Sequence, residues 1–159
     1  MNIEEHIRQL YHQNTEFQRW FNNDLPEMVG VEAVNHFTES FQNEGFTDET
    51  LEKWQEVKRR SDPKRIDRAA ASRPILTGDT GDLGRSIESK AQPGEVKITA
   101  ATTAAGSDKD YAAAHNEGTT TAGRGNKTKI PKRQFIGKSA VLDKKIMDIC
   151  ERKIASILK

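Results

Sequence analysis

The stretch Gly78-Asp79-Thr80-Gly81-Asp82-Leu83-Gly84 has the glycine content of a phosphate-binding loop. Such a loop cradles an anion with backbone N–H groups and neutralises it with a following lysine. Here neither the G-x-x-x-x-G-K-[ST] nor the G-x-G-x-x-G spacing is met, and no lysine follows Gly84. Turn chemistry is the simpler reading. His115-Asn116-Glu117 matches the H-x-E half of a zinc deaminase signature, whose other half, P-C-x-x-C, needs two cysteines. The chain has one, Cys150. His6 and His12 are six residues apart and do not share a helix face, and His36 stands alone. Asp79 and Asp82 lack the D-x-[DN]-x-[DN]-G pattern of a calcium loop, and neither Ser86 nor Ser139 sits in G-x-S-x-G. Cys150 falls on an apolar stripe and reads as a small core residue. No enzyme activity, metal or cofactor is expected.

Composition narrows the class further. The 159 residues suffice for one domain. A hydrophobic fraction of 34% against 31% charged residues indicates a modest core. No apolar run reaches the ~20 residues of a membrane span, and no membrane partner is expected. The acidic, polar start Met1-Asn2-Ile3-Glu4-Glu5-His6 is unlike a secretory leader. A single cysteine excludes an internal disulfide and points to cytosolic folding. The net charge of +1 hides a strong segregation. Residues 1–52 hold eleven acidic and two basic side chains, whereas residues 120–138 hold six basic and no acidic ones. Separated regions of opposite sign can pair copies head to tail.

The elements that would position these residues follow from periodicity. Ile3, Ile7, Leu10, Phe17 and Phe21 form a helical stripe over 2–22, assigned to the core. Asn22-Asn23-Asp24 is expected to break that helix. Pro26 would open a second one carrying Val29, Ala33, Phe37 and Phe41, with Gly45 ending it. The two would make an antiparallel pair or an angled hairpin. Residues 46–73 read as an exposed basic connection on which Trp54 can still dock. Ser86–Lys90 and Glu95–Thr99 predict a hairpin turned at Pro93-Gly94, and residues 110–117 one or two helical turns. Residues 119–129 read as a mobile loop, and Ile130–Ile136 as an edge strand. The last helix spans 139–158, with Leu142, Ile146, Cys150, Ile154 and Leu158 recurring every four residues and Ser139 as N-cap. The chain is thus one α+β domain with N-terminal helices, a small antiparallel sheet and a long C-terminal helix. Its parts are a helical region (1–45), a basic connecting segment (46–73) and an α+β core (74–159).

Three segments in fixed order carry a more specific signal. Thr80-Gly81-Asp82-Leu83-Gly84-Arg85-Ser86-Ile87 comes first. Tyr111, Ala112, His115 and Gly118 follow, then Ile130, Pro131, Arg133, Phe135 and Gly137 ahead of the final helix. Together they resemble the phage virion morphogenesis family, the tail completion proteins of contractile-tailed phages and Mu-like prophages. The resemblance covers about residues 54–158. A basic residue frequent after the family's Thr-Gly pair is replaced here by Asp82 and Gly84.

That resemblance implies a structural protein of the virion, assembled in the bacterial cytoplasm. It would complete the tail or join head to tail as a ring of copies, expected to be a hexamer. Expected partners are the tail tube, the tail terminator, and neck or portal proteins, with phage DNA in the channel as a further contact. The residues assigned to structure or interface are Thr80, Gly81, Leu83, Ser86, Ile87, Tyr111, His115, Gly118, Arg124, Lys127, Lys129, Pro131, Arg133, Phe135 and Gly137. His115 is expected to lock the turn before Gly118. The competing reading is a nucleic-acid-binding module using basic residues 58–68 and 124–133, whose binding would fall steeply with salt.

Overall fold

Asn2 starts the first helix by a reciprocal cap. Its Oδ1 accepts the Glu5 N–H and its own N–H donates to the Glu5 carboxylate, both at 2.9 Å. The computed structural model describes residues 2–61, 72–78, 80–101, 111–122, 125 and 127–159. Helix α1 (Ile3–Arg19) does not break at Asn22-Asn23-Asp24. It passes through a π-helical turn, Trp20–Asp24, straight into α2 (Leu25–Asn43). The expected helical hairpin is therefore one continuous helix with a widened turn.

Pro26 explains the geometry. It has no N–H, so the carbonyl of Asn22 four residues earlier loses its helical donor. The Gly94 N–H supplies a replacement at 3.3 Å. That glycine (φ 72°) sits in the turn between β3 (Ile87–Gln92) and β4 (Glu95–Ala100), the predicted hairpin. The hairpin tip thus repairs the helix, and Trp20 is buried beside it. Further along α2, a Cβ on Gly30 would lie 2.9 Å from Ser89 Cβ, so only glycine lets α2 lie this close to β3.

The end of α2 is set by Glu44 in place of Gly45. Glu44 takes the left-handed conformation (φ 48°), and Gly45 begins strand β1 (Gly45–Thr47). A Cβ on Gly45 would fall 2.5 Å from the Glu52 carbonyl of the paired strand β2 (Leu51–Lys53). Residues 45–53 therefore form a hairpin where an irregular connection was expected. Trp54 docks on the core, as foreseen, and its Nε1 donates to the Gln134 carbonyl at 2.7 Å.

The Glu44 carboxylate offsets its backbone strain. It forms a two-pronged ion pair with Arg60 of the short helix α3 (Lys58–Ser61) and accepts the Ile75 N–H at 2.8 Å. The Arg60 hydrogen bonds hold its carboxyl below the ordinary glutamate value. A lowered native pKa contributes stability above the unfolded-chain value, and the contribution disappears as pH falls through the folded one. Glu44→Gln is expected to cost about 1–2 kcal/mol near pH 7. In urea denaturation the gap to wild type should narrow near pH 3; an equal gap at both pH values would refute the linkage.

The remaining elements among the described residues are α4 (Asp82–Arg85), α5 (Tyr111–Glu117), β5 (Thr119–Ala122), β6 (Thr128–Ile130) and α6 (Ala140–Ile157). Among the described residues the strands form three separate antiparallel pairs, β1–β2, β3–β4 and β5–β6. The stretch expected as a loop at 119–129 contains the β5–β6 pair, consistent with three consecutive β-branched threonines. The strand expected over 130–136 ends at Ile130, because Pro131 cannot donate to a ladder.

Phe37, Phe41, Phe46, Trp54, Ile75, Leu83, Ile87, Ala112, Phe135 and Leu142 form the main core. Ser139 caps α6 through Leu142 N–H at 3.2 Å and anchors it by donating to the Thr47 carbonyl at 2.9 Å. The predicted every-four stripe on α6 holds only at its start. Each four-residue step drifts about 40° around an α-helix, so Ile154 and Leu158 end exposed while Ile157 is buried.

Candidate functional site

The three sequence segments meet at one place. Leu76, Thr77, Gly78, Thr80, Asp82 and Leu83 form one wall of a cleft of about 270 Å³. Tyr111 and His115 of α5 and Arg133 form the others, with Val57 and Arg59 closing it.

Local chemistry shapes each wall. In the first segment Gly78 and Gly81 take positive φ (54° and 68°). The Gly81 N–H closes the turn on the Thr77 carbonyl at 2.6 Å. Asp82 accepts from the Thr80 hydroxyl and from Arg85 at 2.8 Å, and these two bonds hold its carboxyl below the ordinary aspartate value. Asp82 is thus an anion bonded to its own turn. Ser86 Oγ donates to the Leu83 carbonyl at 2.8 Å, and Leu83 and Ile87 point into the core. A Cβ on Gly84 would touch the Phe41 ring at 3.5 Å, so a small residue lets the turn rest on that ring.

The second and third segments are clasped together by α5. Asn116 Oδ1 accepts the N–H groups of Phe135 and Ile136 at 2.9 and 3.0 Å, and the His115 carbonyl accepts the Arg133 N–H at 2.8 Å. Gly118 (φ 74°) lets the chain leave α5 directly against Lys132. Tyr111 meets the His115 ring edge to face at 6.1 Å.

Arg133 is the least expected member. Assigned from sequence to structure or interface, and in the competing reading to the nucleic-acid-binding run 124–133, it is 7% exposed. Its Nε and Nη2 donate to the Gln55 carbonyl at 3.2 and 3.0 Å. Burial, then the charge of Arg59, push its guanidinium below the ordinary arginine value, with Glu56 opposing. His115 Nδ1 is buried with no hydrogen-bond partner. Burial, then the Arg133 charge, hold its imidazole below the ordinary histidine value.

The other assigned residues scatter. Phe135 is core, Pro131 is half-buried, and Gly137 packs against the Gln134 side chain. Lys127 and Lys129 are exposed on the β5–β6 hairpin, and Arg124 lies outside the described residues. The basic segment 58–68 is described only to Ser61. Within it, Arg60 is paired to Glu44, and Arg59 donates to the carbonyls of Arg73 and Pro74 at 3.1 and 2.8 Å. Asn116, Gln55 and Trp54 also hold the site together. Their roles rest on contacts far apart along the chain, and no local pattern marks them.

Among the described residues no group of three or more His, Cys, Asp or Glu could hold a metal, and no helix is long and apolar enough to cross a membrane. What the fold and the cleft define is an α+β scaffold whose three segments line one cleft, the second and third joined by hydrogen bonds. The phage virion morphogenesis family model matches residues 25–155, and this chain belongs to that family. It is accordingly a phage morphogenesis protein associated with the virion. The match starts at the first residue of α2, earlier than the sequence segments suggested, and leaves α1 outside. No curated protein and no solved structure matches the chain.

Proposed function

We propose that this protein is a non-enzymatic structural part of the phage particle, completing the tail or joining it to the head as a ring of identical subunits. The observation that carries this reading is the face of α1. Its stripe has the regularity of a core face, yet α1 buries none of its residues. Ile3, Ile7 and Leu10 are 77%, 46% and 52% exposed. Near the end of α6, Ile154, Ile157 and Leu158 join Leu10 and Phe17 around an apolar groove of about 260 Å³. The Lys153–Glu16 ion pair at 3.2 Å holds the two helices together there. An apolar stripe of this extent on a short amphipathic helix marks a surface that another protein covers.

A ring needs a heterologous contact, in which one face of a subunit meets a different face of the next. The acidic first third and the exposed lysines at 127, 129, 132 and 138 supply opposite signs for such a contact. The tail tube, the tail terminator and neck or portal proteins are the proposed neighbours.

Size-exclusion light scattering, and negative-stain microscopy with the tail tube, test the reading. A chain that stays strictly monomeric and never associates with tail or head proteins would sink it. Ile7→Asp sharpens the test. It should leave thermal stability within about 0.5 kcal/mol of wild type, since the side chain is exposed. It should weaken assembly by about tenfold or more, as loss of an apolar anchor does. Unchanged assembly would remove α1 from the interface.

A further inference from the structure

The geometry points to the cleft between the three segments as a receptor for one carboxylate of an acidic peptide segment, with Arg133 as its ion-pair partner and His115 Nδ1 as its second contact. A buried cation is costly unless an anion or several well-placed acceptors compensate it. Arg133 is 7% exposed, and among the described residues its guanidinium donates to the neutral Gln55 carbonyl alone, through two of its five N–H donors. Among the described residues the acidic groups in the neighbourhood are engaged elsewhere: Asp82 with Thr80 and Arg85, and Glu56, whose charge also acts on Arg133, with Arg60 at 3.6 Å. Arg59 adds like charge beside Arg133.

His115 Nδ1 is buried without a partner on a ring that lines the cleft. Native structures rarely leave such a group unpaired unless a site needs it. Protonated at Nδ1, it donates to a carboxylate oxygen while Arg133 holds the other. The ring's edge-to-face contact with Tyr111 fixes its direction.

Size and lining decide between carboxylate and nucleic-acid phosphate. About 270 Å³ admits one side-chain carboxylate and not a duplex backbone. Val57, Leu76 and Leu83 suit the methylenes of a glutamate.

The test uses the full chain, isotopically labelled, and follows the His115 ring and Arg133 Nε–H resonances. The probes are a blocked peptide with one glutamate among glycines, its glutamine counterpart, inorganic phosphate and a short DNA duplex. Expected are saturable shifts with the glutamate peptide, on the order of millimolar affinity, and none with the glutamine peptide. Arg133→Gln should weaken binding about tenfold or more, with Arg133→Lys retaining part of it. If Arg133→Gln does not fold, His115→Phe, which keeps the ring against Tyr111, should weaken binding several-fold. Absence of shifts with the glutamate peptide, equal shifts with the glutamine peptide, or tighter effects from phosphate or DNA would overturn the assignment.

Discussion

Phe135→Ala is expected to remove about 4 kcal/mol of folding stability, the usual range for deleting a fully buried phenylalanine. The side chain is 1% exposed and lies 5.2 Å from the Phe41 ring, which in turn meets Trp54 edge-on at 5.6 Å. Alanine would leave a cavity that cannot easily collapse. Hydrogen bonds from the Phe135 and Ile136 N–H groups to Asn116 Oδ1 pin the chain on one side, and the Trp54–Gln134 bond pins it on the other. A domain of this size has roughly 5–15 kcal/mol in total, so the variant should be partly unfolded on warming. Urea denaturation would show a lowered midpoint with an unchanged slope. Phe21→Ala, at a position 42% exposed, is the control and should cost far less. A loss under about 1 kcal/mol for Phe135→Ala would mean that this core is not packed as described.

Gly118→Ala should be nearly as damaging, and for two separable reasons. The residue has φ 74°, where an L side chain costs roughly 1–2 kcal/mol. In addition, an added Cβ would lie 2.7 Å from the Lys132 nitrogen and 3.1 Å from the Ile130 carbonyl oxygen. Those are backbone atoms of the third segment, so relief requires that segment to move away from α5. The combined loss is expected at roughly 2–4 kcal/mol. Gly78→Ala separates the two causes. Gly78 has φ 54° with nothing within 4 Å of its Cβ position, so only the conformational cost applies there. Equal losses in the two variants, measured by urea midpoint, would refute the steric part. A larger loss at Gly118 should be accompanied by shifted His115 and Arg133 resonances, because the Arg133 N–H to His115 carbonyl bond lies across the same junction.

Features governed by neighbours in the chain were legible without coordinates. The stripe Val29, Ala33, Phe37 and Phe41 packs inward as its period requires, although Val29 is only half-buried. Pro93-Gly94 turns the hairpin, because glycine tolerates the positive φ there. Ser139 caps α6 as its hydroxyl permits. Asn22-Asn23-Asp24 misled, because a break signal acts only if the freed backbone groups go to solvent. Here Gly94, from a hairpin about seventy residues away, takes the Asn22 carbonyl. Glu44 took the left-handed position expected of Gly45, its carboxylate tied to Arg60 and Ile75.

By itself, the sequence determined the α+β class, the periods of the helices, the β3–β4 hairpin and the three ordered segments that carried the family resemblance. Those are consequences of local sterics, hydrogen-bond capacity and side-chain spacing. The tertiary structure alone decided that the segments close around one cleft, that Arg133 is buried while Lys127 and Lys129 are exposed, and that Ile3, Ile7 and Leu10 of the α1 stripe are left exposed. Periodicity states that a helix has an apolar face, but a face meant for the core and one meant for a partner have the same period. Only the positions of the other elements, brought together by contacts distant in the chain, distinguish them.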